Sequence, residues 1–152
     1  MYNDLVFVKN QKEYWKYLIV ISLFYILPSL QFVIFQEISG NDYLCYYNKK
    51  CLHPLGIIPA FNSVISNIFY CIFGLLFIVI VNYSTRYREV NNIDMDPSLY
   101  YALGIGIFME GIFSGIFHIC PSKLNFQFDT TFMFIGIIIM FLILYQKRHP
   151  NK

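Results

Sequence analysis

Four stretches of this chain run long and apolar, and polar segments separate them. Tyr17–Gln36 holds no formal charge over 20 residues, and further apolar runs extend from about Ile57 to Val81, from about Ser98 to Cys120, and from Phe126 or Asp129 to Tyr145. A helix needs about 20 apolar residues to cross roughly 30 Å of hydrocarbon, so the pattern predicts about four transmembrane helices. The expected fold is an all-α integral membrane bundle. The same pattern divides the chain into an arm over 1–16, a four-span region over 17–145 and a tail over 146–152.

Exceptions to the apolar pattern carry the next layer of information. Pro28 removes a backbone donor from the middle of the first span and predicts a kink there. The first half of the second span carries Asn62, Ser66 and Asn67, with Asn62, Ser66 and Tyr70 sharing a helical face. Side chains of this kind commonly hydrogen-bond one span to another, which makes Asn62, Ser66, Asn67 and also Glu110 candidates for polar helix packing. Gly104, Gly106, Gly111 and Gly115 in the third span allow close backbone approach. Pro121 stops that span. The intervening segments 37–56 and 82–97 have the Ser, Gly, Asn, Asp and Pro content of connecting loops.

Composition agrees with the pattern and narrows the class. Hydrophobic residues make up 57% of the chain and charged residues 13%, against about 25% charged in a soluble domain. A net charge of +2 is too small to argue for nucleic-acid binding by charge alone. The distribution of charge predicts topology. The arm, the 82–97 loop and the tail hold eight Lys and Arg, and the other two loops hold three, so the positive-inside rule places both ends in the cytoplasm. Trp15, Tyr14 and Tyr17 suit the membrane interface. Met1–Glu13 carries Asp4, Lys9, Lys12 and Glu13 rather than a basic start and an apolar run, so no signal peptide is expected.

Cys45 and Cys51 lie close together in the outward 37–56 loop, where an oxidising compartment would allow a Cys45–Cys51 disulfide. Cys71 lies in an apolar run and Cys120 at the end of one. No pair has CxxC spacing, which argues against a structural zinc site.

The candidate chemistry sits in EGIFSGIFHICPSKLNFQFD, residues 110–129. Glu110, Ser114 and His118 are four apart and stack on one helix face, and Asp129 follows beyond a short loop. An ionisable group at membrane depth costs about 3 kcal/mol or more, so such groups usually face a protein interior. A histidine can ligate zinc, a serine can donate to a developing oxyanion, and an aspartate can orient or deprotonate a metal-bound water. A catalytic zinc takes about three protein ligands, however, and the other histidines are His53, in a loop before proline, and His149, assigned to the opposite side. His118 thus stands as one metal ligand, with Ser114 and Asp129 as catalytic helpers. A Ser-His-Asp nucleophile triad is a weaker reading. Ser114 is mid-helix, with its hydroxyl free to bond back to the Glu110 carbonyl, and lacks the strand-to-helix elbow of such nucleophiles. The plainest alternative is a polar seam that holds helices together.

At these residues the chain resembles the SID-1 transmembrane family. The resemblance runs through FYILPSLQ, CYYNKKCLHPLG, FNSVISNIFYCIFGLLF, LYYALGIGIFMEGIFSGIFHICPSKLNFQFDTTFMF and LYQKRHPN, in order, from about Tyr14 to Asn151. It implies a multi-pass membrane protein that takes part in transport of double-stranded RNA, cholesterol or both, with the bilayer and RNA or sterol as partners in the full-length context, and it admits a homodimer. The implied location is the plasma or endolysosomal membrane. The family is akin to alkaline ceramidase-like hydrolases, by which Ser114 matches the oxyanion-side serine, His118 a zinc ligand and Asp129 the water-orienting acid. Family members have roughly eleven spans, each of about 20 residues, an extracellular β-rich domain ahead of them, and an HxxxH pair of zinc ligands in the last span. This chain matches the second to fifth spans. It is therefore expected to hold a partial zinc site and not to act alone as an enzyme. The alternatives are a zinc-dependent lipid amide hydrolase and an inactive truncated paralogue that only packs against other helices.

Overall fold

The computed structural model describes residues 13–40, 45–47, 53–56, 58–90 and 97–148. It is a helical bundle. In chain order the helices are α1 (Tyr14–Ser39), α2 (Phe61–Ser66), α3 (Ile68–Val90), α4 (Ser98–Ile119) and α5 (Lys123–Arg148). Among the described residues there is no β-strand, only an isolated antiparallel bridge between Leu55 and Ile58. Among the described residues four helical stretches are long and apolar enough to cross a membrane, with α2 and the adjoining part of α3 together forming the second, Phe61–Tyr87. At 22 to 27 residues and about 1.5 Å rise each, all four exceed the hydrocarbon thickness.

The helices outrun the apolar stretches at both ends of the first and fourth spans and at the end of the second, because backbone hydrogen bonding continues into the polar flanks. The largest difference is at the fourth span. Helix α5 starts at Lys123, so the connection after α4 shrinks to Cys120–Ser122 and Asp129 lies well inside the helix. Ser122 makes that early start possible, since its Oγ accepts a hydrogen bond from the Asn125 N–H at 3.2 Å, which satisfies a donor left free at a helix N-terminus. Helix α1 continues through Pro28 and ends at Gly40. There a φ of +60° suits glycine, and the Gly40 N–H closes on the Gln36 carbonyl at 3.1 Å.

Helix α4 is the centre of the bundle. It buries 39% of its membrane stretch against 17% to 22% in the other three spans, and it packs on α1, on α3 and on α5. Its contact with α3 is a glycine seam. A β-carbon on Gly74 would lie 2.6 Å from the Phe108 nitrogen, one on Gly104 2.6 Å from Ile78 Cγ1, and one on Gly111 2.9 Å from the Asn67 carbonyl oxygen. Lipid tails are as apolar as Leu, so spans gain by van der Waals fit rather than by escape from water. Backbone contact of this kind supplies that fit. Of the four glycines expected to allow close approach, Gly104 and Gly111 do so, whereas a β-carbon on Gly106 or Gly115 would meet open space.

The other side of α4 packs on α1 and α5 through aromatic rings. Phe113 stacks on Phe132 at 4.6 Å between centroids, and Tyr25 meets Phe128 edge-on at 5.3 Å. Leu18, Leu99, Ala102, Met109, Ile139 and Ile143 carry this core toward the opposite end. The start of α1 is tied to the start of α4 by the Tyr14 N–H, which donates to Ser98 Oγ at 2.9 Å. Tyr14, Tyr17, Tyr145 and Gln146 line one groove, which places the start of α1 and the end of α5 at the same face of the bundle.

At the far face a disulfide joins Cys45 to Cys120. This corrects the expected Cys45–Cys51 pair. Cys51 lies outside the described residues, and Cys45 is held close to the end of α4 by two neighbours. The Tyr46 N–H donates to the Pro121 carbonyl at 2.7 Å, and the Tyr47 hydroxyl donates to the Ile119 carbonyl at 2.6 Å. With a sequence separation of 75 between the two cysteines, loop-closure entropy gives the bond a stabilising effect of about 4 kcal/mol.

Candidate functional site

The polar site forms where α4 and α5 face each other, toward the disulfide-bearing end. Glu110, Ser114 and His118 project from successive turns of α4, and Asp129 meets them from the second turn of α5. Asp129 lies beside Glu110 and Ser114, with His118 close by. Asp129 is about nine-tenths buried and Glu110, Ser114 and His118 are half-buried. The structure therefore brings all four together. Glu110, which the sequence assigned to helix packing, stands in the same constellation.

One oxygen of each carboxyl is left over. Glu110 Oε2 and Asp129 Oδ1 are buried without a hydrogen-bond partner, as is Gln36 Oε1 on α1. A buried acceptor without a donor is costly, by about 1–3 kcal/mol, and facing carboxyls repel unless a proton or cation lies between them. Zinc is the group the resemblance implies. Among the described residues no group of three His, Cys, Asp or Glu side chains is arranged to hold a metal ion. Any zinc held through His118 would therefore need donors beyond the described residues.

A second layer supports the site and was not legible as such from the sequence. Ser29 on α1 donates to Asn125 Oδ1 at 3.0 Å, and Asn125 Nδ2 donates to the Cys120 carbonyl at 3.0 Å. Asn125 is 1% exposed and links three spans just below Asp129, one turn before it on α5. A signal was available. Ser22, Ser29 and Gln36 recur every seven residues in the first span, and all three are buried; Asn125 and Asp129 are four apart. Both spacings keep polar groups on one helix face.

The remaining candidates fall elsewhere. Ser66 is exposed and its hydroxyl donates to the Ser63 carbonyl of its own helix, so it does not serve between helices. Asn62 is exposed as well. Asn67 is buried, and its Nδ2 donates to the Ser63 carbonyl at 2.9 Å where α2 gives way to α3. The Asn67 backbone there lies against Gly111, which makes its contribution one of backbone contact and not of side-chain bridging. His53 is exposed in its loop, and His149 lies outside the described residues.

A family model described as the dsRNA-gated channel SID-1 matches residues 2–152. SID1 transmembrane family member 1 of Mus musculus is 40% identical over 158 residues, covering 94% of this chain and 19% of the relative. The protein of the same name in Homo sapiens is 38% identical over the same shares. Cholesterol uptake protein 1 of Caenorhabditis elegans is 33% identical over 150 residues, covering 88% of this chain and 20% of the relative. The chain spans about one-fifth of the length of these relatives.

Proposed function

Because the chain belongs to the SID-1 family, we propose that it contributes four spans to a membrane protein that moves double-stranded RNA or cholesterol across a bilayer. The observation that carries the reading is the convergence of Glu110, Ser114, His118 and Asp129 from α4 and α5 in a chain matched to that family over 2–152. Polar groups are costly at membrane depth, and where they occur they mark pathways and binding sites. The glycine seam and the disulfide hold α4 firmly, so the site has a rigid wall on one side.

In this reading Asp129 is the central group, Ser114 and Glu110 orient it, and His118 supplies one metal bond. Both chain ends face the cytoplasm and the Cys45–Cys120 end faces outward, which the distribution of Lys and Arg supports. The ceramidase-like hydrolase would require further metal donors, which the described residues do not supply. A homodimer is compatible with the broad apolar surface of α3, where Phe69, Ile72, Phe73 and Leu76 are exposed.

Uptake of labelled double-stranded RNA and of labelled cholesterol, in cells expressing the full-length gene, tests the proposal. A gain in one of the two over untransfected cells is expected, with loss of that gain in Asp129→Asn at equal surface expression. No gain for either cargo would overturn it. A glycan acceptor placed in the 37–56 loop should be modified and one in the 82–97 loop should not; the reverse would invert the topology.

A further inference from the structure

Only Cys120, Pro121 and Ser122 separate the end of α4 from the start of α5. The Cys120 N–H donates to the Ile116 carbonyl at 3.2 Å and the Phe126 N–H to the Ser122 carbonyl at 3.0 Å, so each helix closes its own end. Neither bond joins α5 to α4. The rotation of α5 about its axis nevertheless decides where Asp129 points, because a helix turns by about 100° per residue and a slip of one residue would carry the carboxyl away from α4. Stacking of Phe132 on Phe113 limits that rotation without fixing it, since apolar contact is non-directional. A hydrogen bond has a preferred angle as well as a length.

Asn125 supplies the directional constraint. Its Nδ2 reaches back from the first turn of α5 and donates to the carbonyl of Cys120, the residue that caps α4, at 3.0 Å. That acceptor is itself anchored. The Cys120 sulfur is bonded to Cys45, and the Tyr47 hydroxyl donates to the neighbouring Ile119 carbonyl at 2.6 Å. Asp129 follows Asn125 by four residues, one turn further along the same face, and lies beside Ser114 and Glu110. We infer that Asn125 is the positioning residue of the polar site: its amide bond to the Cys120 carbonyl sets the rotation of α5 and so holds Asp129 against Ser114 and Glu110. The bond from Ser29 to Asn125 Oδ1 ties α1 to α5 and does not reach α4, so it is secondary in this role. The inference rests on the reading of Asp129 as the central group of a transport site, and position and transport are therefore measured separately.

Disulfide trapping in the purified full-length protein reads the position. Ser114→Cys and Asp129→Cys are introduced together with Cys71→Ala, which removes a free thiol; brief oxidation with iodine should then link positions 114 and 129, and the linked peptide is followed over time by mass spectrometry. Asn125→Leu keeps the volume and drops the amide. Because small displacements of reacting groups cost large factors in rate, it should slow the linkage by at least about tenfold, and Asn125→Ala should do the same where the leucine variant does not fold. Ser29→Ala, which leaves the Cys120 bond in place, should link at the unmodified rate. A merely structural asparagine would lower the thermal midpoint and leave the linkage rate of the folded protein unmoved. In cells expressing the full-length gene with Ser114 and Asp129 intact, Asn125→Leu should lower cargo uptake about as far as Asp129→Asn does. An unchanged linkage rate in the Asn125 variants, an equal fall in Ser29→Ala, or full uptake in Asn125→Leu would each overturn the proposal. Absence of cargo gain in the unmodified protein would instead count against the transport reading, while the linkage rates still decide the role of Asn125.

Discussion

Toward α3, helix α4 presents Gly104 and Gly111, with no room for a β-carbon; toward α1 and α5 it presents Phe113 and, one residue from it or one turn before it, Ser114 and Glu110. The two sides solve the same problem differently. On the glycine side the backbones come close, and the polar side-chain contacts are few, from Cys71 Sγ to the Phe108 carbonyl and from the Tyr101 hydroxyl to Asn82 Oδ1. On the other side the helices stand apart by the thickness of aromatic rings, and the space so created admits carboxyls, a serine and a histidine. Close packing excludes chemistry, and a ring-width spacing permits it. The site therefore lies on the α5 side, although both sides belong to one helix.

The contrast can be broken or sharpened at specific positions. The largest effect is expected at the strap that pins the polar side: Cys120→Ser should lower stability by about 4 kcal/mol through the lost loop constraint, read as a fall in the thermal midpoint in detergent. Peptide mapping under non-reducing conditions should meanwhile find Cys45 linked to Cys120 in the unmodified protein. Next comes the glycine seam. Gly74→Leu should cost about 3 kcal/mol by overpacking against the Phe108 backbone, while Gly106→Ala, at an open position, should gain about 0.5 kcal/mol from helix propensity. Equal effects at Gly74 and Gly106 would remove the basis for treating the seam as a tight contact.

The polar side should respond in function more than in stability. Asp129→Asn is expected to lower cargo uptake by about tenfold or more, the equivalent of about 1.4 kcal/mol, with a thermal midpoint that does not fall, since the change removes a buried charge with an unpartnered oxygen. A large loss of stability with unchanged uptake would reassign Asp129 to helix packing. The smallest effect belongs to Ser29→Ala, which deletes the bond to Asn125. Interhelical hydrogen bonds in membranes average about 0.6 kcal/mol, so a shift near that size is expected, and uptake should change little because Ser29 does not reach Asp129's partners.

The sequence by itself determined the number of spans, because the hydrocarbon thickness fixes how many consecutive apolar residues a crossing helix needs. It also singled out Glu110, Ser114, His118 and Asp129, since a polar residue in an apolar run is conspicuous wherever it lies and helix period alone puts the first three on one face. Which cysteines meet was left to the fold. Cys45 and Cys51 are near in sequence, but Cys45 is drawn across 75 residues to Cys120 by hydrogen bonds from Tyr46 and Tyr47 to the end of α4. The same holds for Gly74 and Asn125. A lone glycine or asparagine carries no label that says which helix it will face, and that depends on how α4 rotates between its neighbours. Helix period specifies the faces of each span; only the packed bundle decides which face carries contact and which carries the site.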